Sequence, residues 1–154
     1  MRMEKSVVIA RPAEDVWAVL SNLDNVKRWS TTGSEFRQTS PGPLGVGASV
    51  EIDRVVLGRF HIRLQDVVVT GYEPNRTLAM TIPNGIAQQP IAERFTLEPR
   101  KEGTRITRVA EMDLKRGIRP FEGMLASLLG WGWGRDLANL KRLVEASAQV
   151  NRPG

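Results

Sequence analysis

The sequence has no cysteine and a single histidine, His61. Without thiols there is no disulfide framework, no thiolate metal site and no cysteine nucleophile. One imidazole also excludes a histidine-rich metal site. No GxxxxGK[ST] or GxGxxG is present, and Gly42, Gly45 and Gly47 are followed by a strand-like run rather than a helix, so they do not make a phosphate loop. No calcium-loop pattern appears either. Long apolar runs are missing too. The longest apolar patch, Met124 to Trp133, is broken by Ser127, Gly130 and Gly132, short of the ~18 apolar residues that span a bilayer. The opening residues, Met1 to Ser6, lack the apolar stretch of a signal peptide. The expectation is a soluble, cytoplasmic protein with no membrane span, and the lack of cysteine fits a reducing compartment.

What is present is enough for a core. The chain has 154 residues, 41% of them hydrophobic, and a net charge of +5 from 22 basic and 17 acidic residues. That length suits one domain, placed at 1-150, with 151-154 read as a disordered tail. The positive balance alone would suit nucleic acid. However, Arg28, Arg54, Arg63, Arg94, Arg105 and Arg135 fall in different elements, with no basic run interleaved with aromatics. The reading is a mildly basic solvated surface and no nucleic-acid partner.

Val7 to Trp29 reads as a strand, a break at Arg11-Pro12, a helix and a second short helical turn. Pro12 suits a helix start, Glu14 and Asp15 favour its positive end, and Val16, Trp17, Val19 and Leu20 form its apolar face. Asn22 or Asp24 can cap the next turn, which carries Leu23, Val26 and Trp29. Ser40 to Gly47 is a loop by composition, taken to border the functional cavity. Strand-like alternation follows: Val46, Ala48, Val50 and Ile52 form one face, and Phe60, Ile62, Leu64, Asp66 and Val68 the next. His61 is in the opposite phase, on the wet face. After the turn Gly71 to Asn75, Leu78, Met80 and Ile82 make another buried face. Ile91 to Leu97 and Thr104 to Leu114 pair around a turn at Glu98 to Gly103. This sets Phe95 opposite Ile106 and Glu93 opposite Arg108, an opposite-charge cross-strand pair. From Arg119 to Ala148, Phe121, Leu125, Leu128, Leu129, Leu137, Leu140 and Val144 return at helical spacing.

This order resembles the helix-grip fold of the SRPBCC superfamily, the START-like and birch-pollen-allergen-like proteins, and is most similar to its polyketide cyclase/dehydrase group. The segments that carry the resemblance are Val8 to Trp17, Arg28-Trp29, Gly45 to Ala48, Tyr72 to Arg76, Phe95 to Pro99, Gly103 to Thr107 and Leu140 to Glu145. They are turns, hairpin ends and helix starts, and transfer fold rather than chemistry. The resemblance implies an α+β fold. A curved antiparallel sheet of about six or seven strands, with two short helices, grips one long C-terminal helix around a mostly apolar cavity. It implies a hydrophobic small-molecule ligand, lipid- or polyketide-like. No cofactor or metal is expected. The alternative it implies is a polyketide aromatase/cyclase or dehydratase.

Within such a fold the expected lining comprises Trp29, Ile52, Arg54, Phe60, Ile62, Leu64, Met80, Glu93, Phe95, Arg108 and Met112, with Met124, Leu128 and Trp131 from the last helix. The catalytic candidates are Glu93, Arg108 and Asp66. A carboxylate desolvated in a cavity can act as a general base, and a Glu–Arg pair can orient a carbonyl or hydroxyl. The same residues also suit a structural ion pair, or drift into solvent at a bulge. Trp29 either lines the cavity or plugs the core. Gly130-Trp131-Gly132-Trp133-Gly134 suggests a kink over the cavity, or close packing on the sheet, or an exposed aromatic pair at a homodimer or membrane contact.

Overall fold

A computed structural model describes residues 1–150, the last three by backbone alone; the tail expected at 151–154 lies outside the described residues. The elements follow in the order β1 (Arg2–Ile9), α1 (Ala13–Leu20), a 3₁₀ turn (Leu23–Asn25), α2 (Val26–Trp29), β2 (Glu35–Gln38), β3 (Ser49–Val56), β4 (Phe60–Glu73), β5 (Thr77–Ile82), β6 (Ile91–Arg100), β7 (Gly103–Glu111), a 3₁₀ turn (Arg119–Phe121) and α3 (Glu122–Val150). The seven strands form one antiparallel sheet in the order β1-β7-β6-β5-β4-β3-β2. This is the helix-grip architecture. Because β1 and β2 are opposite edges, the chain between them must cross the sheet. The segment α1–α2 makes that crossing and packs against α3.

Local chemistry sets these elements. Pro12 occupies the N-cap of α1 with extended backbone, Glu14 and Asp15 lie in the first turn, and Val16, Trp17, Val19 and Leu20 are buried. The Asn22 side chain accepts from the Asp24 N–H and caps the following turn. Trp17 packs edge-on against Tyr72, with centroids 5.3 Å apart, and is a core residue.

Three sequence expectations change. The β6–β7 hairpin turns at Lys101-Glu102, so Phe95 faces Arg108, Leu97 faces Ile106 and Glu93 faces Ala110. The displacement is two residues, which keeps every side chain on its expected face. The second change is in β4. Ile52 pairs with Leu64 but Val50 with Val67, so β4 carries an extra residue there, and Asp66 has a left-handed φ of 60°. This bulge reverses the alternation: Val67 and Val69 are buried, and Asp66 is exposed. A second register shift lies between Val69 and Gly71. Finally, β2 was not foreseen, since Glu-Phe-Arg-Gln offers one apolar residue and no alternation to read.

The buried residues fall into two groups. The larger contains Ile9, Leu20, Ile52, Val67, Val69, Ile106, Leu137, Leu140 and Val144. The smaller gathers Met3, Ala87, Ile91, Ala110, Met112, Leu114 and Trp133 at the other end of the sheet. α3 keeps helical structure through Gly130–Gly134. Among the described residues no helix is long and apolar enough to cross a membrane.

Candidate functional site

Side chains from the sheet, α2 and the first half of α3 enclose a pocket of about 350 Å³. This is the size class of small-molecule sites, which run from roughly 300 to 1,000 Å³. Its walls are mainly apolar: Leu20, Leu23, Val26 and Trp29 from the crossing segment, Phe36 from β2, Leu78, Met80 and Ile82 from β5, Phe95 from β6, and Leu129 and Trp133 from α3. Trp29 both plugs and lines, being 4% exposed, on the pocket wall and edge-on to Phe95. Leu57, Leu128 and Trp131 also line it, and are largely exposed, which puts them at its open side.

One wall is charged. Arg108 on β7 donates from Nε to Glu93 Oε1 at 2.8 Å and from a terminal nitrogen to Asp136 Oδ2 at 3.1 Å. All three side chains are largely buried, at 13%, 14% and 11% exposure. The Arg108 guanidinium stacks over the Trp133 ring at 4.1 Å and lies 5.3 Å from the Phe95 centroid. Asp136 Oδ1 accepts the Thr31 N–H at 2.7 Å. A buried charge is tolerable when paired and hydrogen-bonded, and here one cation answers two carboxylates. Glu93 and Arg108 meet diagonally across the β6–β7 ladder, not directly opposite.

Arg54, on β3, is the fourth charge of the pocket. Burial pushes its guanidinium below the ordinary arginine value; Glu93 opposes that shift, Arg108 adds to it and Asp136 opposes it. Among the described residues its Nε has no hydrogen-bond partner, and no carboxylate oxygen lies within salt-bridge reach of its nitrogens. Trp29 Nε1 is a second buried donor without an acceptor. A short hydroxyl chain completes the polar lining, with Ser30 Oγ 2.9 Å from Thr32 Oγ1 and Thr32 Oγ1 2.6 Å from Ser34 Oγ.

Of the side chains expected from the sequence, Trp29, Arg54, Met80, Glu93, Phe95, Arg108, Leu128 and Trp131 stand on the pocket wall. The others do not. Ile52 is fully buried in the larger core, and Met112 belongs to the smaller one. Leu64 packs at the margin of the larger core. Phe60 and Ile62 lie on the exposed arm of the β3–β4 hairpin, and Met124 is exposed on α3 before the helix reaches the pocket. Phe121 and Leu128, expected in the buried stripe of α3, are exposed. Asp66 is carried outward by its bulge, and His61 is exposed as expected. The loop 40–47 contributes nothing to the pocket; its Leu44 packs on the larger core.

Asp136 was missed. It sits in phase with Leu129, Trp133, Leu140 and Val144, so an acid within the apolar stripe of α3 was the available signal. Thr31 and the hydroxyl chain had no such signal, because the loop between α2 and β2 has no period.

The chain belongs to the polyketide cyclase / dehydrase and lipid transport family, whose profile matches residues 1–145. Solved structures share the fold at low identity. A protein of Thermus thermophilus is 16% identical, with a TM-score of 0.77 over 96% of this chain and 99% of its own. An AHSA1-like protein of Aeromonas hydrophila is 19% identical, with a TM-score of 0.67 over 100% of this chain and 99% of its own. The di-domain aromatase/cyclase StfQ of the steffimycin biosynthetic pathway is 12% identical, with a TM-score of 0.77 over 96% of this chain and 51% of its own. No curated protein is significantly similar in sequence.

Proposed function

We propose that this protein binds a hydrophobic small molecule, lipid- or polyketide-like, between the sheet and α3. The observation that carries this reading is the pocket itself, whose apolar walls meet at one charged corner formed by Arg54, Glu93, Arg108 and Asp136. A few fixed polar groups in an apolar hollow are what orient a small ligand. The family description, which joins polyketide chemistry to lipid transport, supports the same class of ligand.

Gly132 gives a direct test. It lines the pocket, and a Cβ there would meet only Thr31 Oγ1, at 3.8 Å. Gly132→Leu should therefore fill the pocket and keep the fold. The unaltered protein should bind an apolar fluorescent probe in equimolar ratio, and Gly132→Leu should weaken that binding at least about tenfold, or about 1.4 kcal/mol. Equal binding by both would refute the pocket as the site. Native mass spectrometry of protein from its own host would identify a retained ligand.

A second reading is an aromatase/cyclase or dehydratase. It is favoured by the Glu93 carboxylate, which reaches the pocket wall in contact with Arg108. Under that reading Glu93→Gln abolishes turnover of a polyketide-like substrate while binding persists; turnover that survives the substitution removes it.

A further inference from the structure

We infer that the ligand carries a monoanionic oxygen group, a carboxylate foremost, at one end of its apolar body, and that Arg54 receives it. The inference rests on the pocket being the ligand site. It begins from unequal pairing among the four buried charges. Arg108 is ion-paired twice, holding Glu93 Oε1 and Asp136 Oδ2, and lies over the Trp133 ring. Asp136 commits its other oxygen to the Thr31 N–H. Both acids are thereby drawn toward Arg108, and Arg54 is left facing the pocket with an unsatisfied Nε and no ion pair among the described residues.

An arginine cannot resolve this by losing its proton, because guanidinium stays charged in proteins. A buried guanidinium without an acceptor is costly, and a ligand oxygen that meets its terminal nitrogens from the pocket offsets that cost. Planar guanidinium matches a carboxylate bidentately. The second unsatisfied donor on these walls, Trp29 Nε1, is again a donor and not an acceptor. Both of these donors therefore lack an acceptor among the described residues, and a ligand oxygen would supply one. Apart from the charged corner and the hydroxyls of Ser30, Thr32 and Ser34, the wall is mainly apolar, so the anion is the head of a hydrophobic molecule. The charge count disfavours a doubly charged head. Arg54 and Arg108 balance Glu93 and Asp136, so a dianion such as a phosphate monoester would bring two charges toward two acids.

The test compares decanoate, methyl decanoate and decyl phosphate by titration calorimetry at neutral pH. These share one chain length and differ at the head. The expected result is that decanoate binds at least about tenfold more tightly than its methyl ester, with the phosphate weaker than decanoate. In Arg54→Met the ratio of acid to ester affinity should fall to about one, while Arg54→Lys, which keeps the charge, should retain a preference for the acid. Circular dichroism and the denaturation midpoint establish that both variants are folded. Equal binding of acid and ester by the unaltered protein overturns the inference, as does an acid preference that survives Arg54→Met. In both cases the pocket stands if Gly132→Leu still blocks the ester. If the blocking substitution leaves all binding intact, the pocket reading itself fails.

Discussion

At position 108 one guanidinium joins three separate parts of the chain. Arg108 belongs to β7, Glu93 to β6 and Asp136 to α3, and Asp136 passes the connection to the loop after α2 through the Thr31 N–H. Removing the cation strands two buried acids. Arg108→Met should lower stability by about 3 kcal/mol, as breaking a buried pair from one side does, read from the urea midpoint. Arg54→Met should leave the midpoint unchanged or raise it, because the group removed has no partner to strand. The contrast separates a cation that holds the fold from one whose removal strands no partner. The sequence exposed half of this arrangement. The Glu93–Arg108 pair was legible because a two-residue error in hairpin register preserves the face of every residue. Asp136 lies outside the hairpin, and joining it to Arg108 needs the three-dimensional path of α3.

Among the elements, the hairpins and α3 show where period-based reading stops. Alternation placed Asp66 on the buried face, and one extra residue in β4 reversed it. A bulge leaves no trace in a count of two, so Asp66 and Val68 could not be corrected before the register was known. The glycines divide in the same way. Gly103 has φ +140°, and a Cβ there would lie 2.1 Å from Ile9 O and 2.7 Å from Arg11 N. Gly134 lies in α3 with nothing near its Cβ position. Gly103→Ala should cost at least about 2 kcal/mol through backbone strain and collision. Gly134→Ala should stabilise by about 1 kcal/mol, the helical difference between the two residues. Thermal unfolding of the two variants checks both signs. A glycine that the packing demands and one that it merely permits look alike in sequence.

Across the whole molecule the hydrophobic residues serve two cores and a pocket. The larger core lies beneath α1 and the C-terminal half of α3, and the smaller gathers Met3, Ile91, Met112 and Leu114. Trp133 belongs to the smaller core and also to the pocket wall. The family resemblance made the helix-grip sheet and the apolar lining legible as a class. It could not apportion individual residues such as Met112 and Met124, since hydrophobicity alone does not say which compartment receives a side chain. Met3→Ala, in the smaller core, should cost about 2 to 3 kcal/mol. Because Met3 lies off the pocket wall, affinity for the apolar probe should stay unchanged in the same protein, as a paired denaturation and binding measurement would show.

The edge position of β1 also constrains how the chain reaches this structure. Its one neighbour in the sheet is β7, with Arg2 opposite Glu111 and Ile9 opposite Thr104. The first strand of this sheet in chain order is thus completed by the last. Closing so long a loop carries an entropic cost that falls before any contact between the two strands can offset it. The meander from β3 to β7 can form from neighbouring hairpins, while β1 waits with Val7 and Ile9 uncovered. Loop-closure entropy therefore predicts that the β3–β7 hairpins form before β1 joins β7, which pulse-labelled hydrogen exchange would read as earlier amide protection in β3–β7 than in β1.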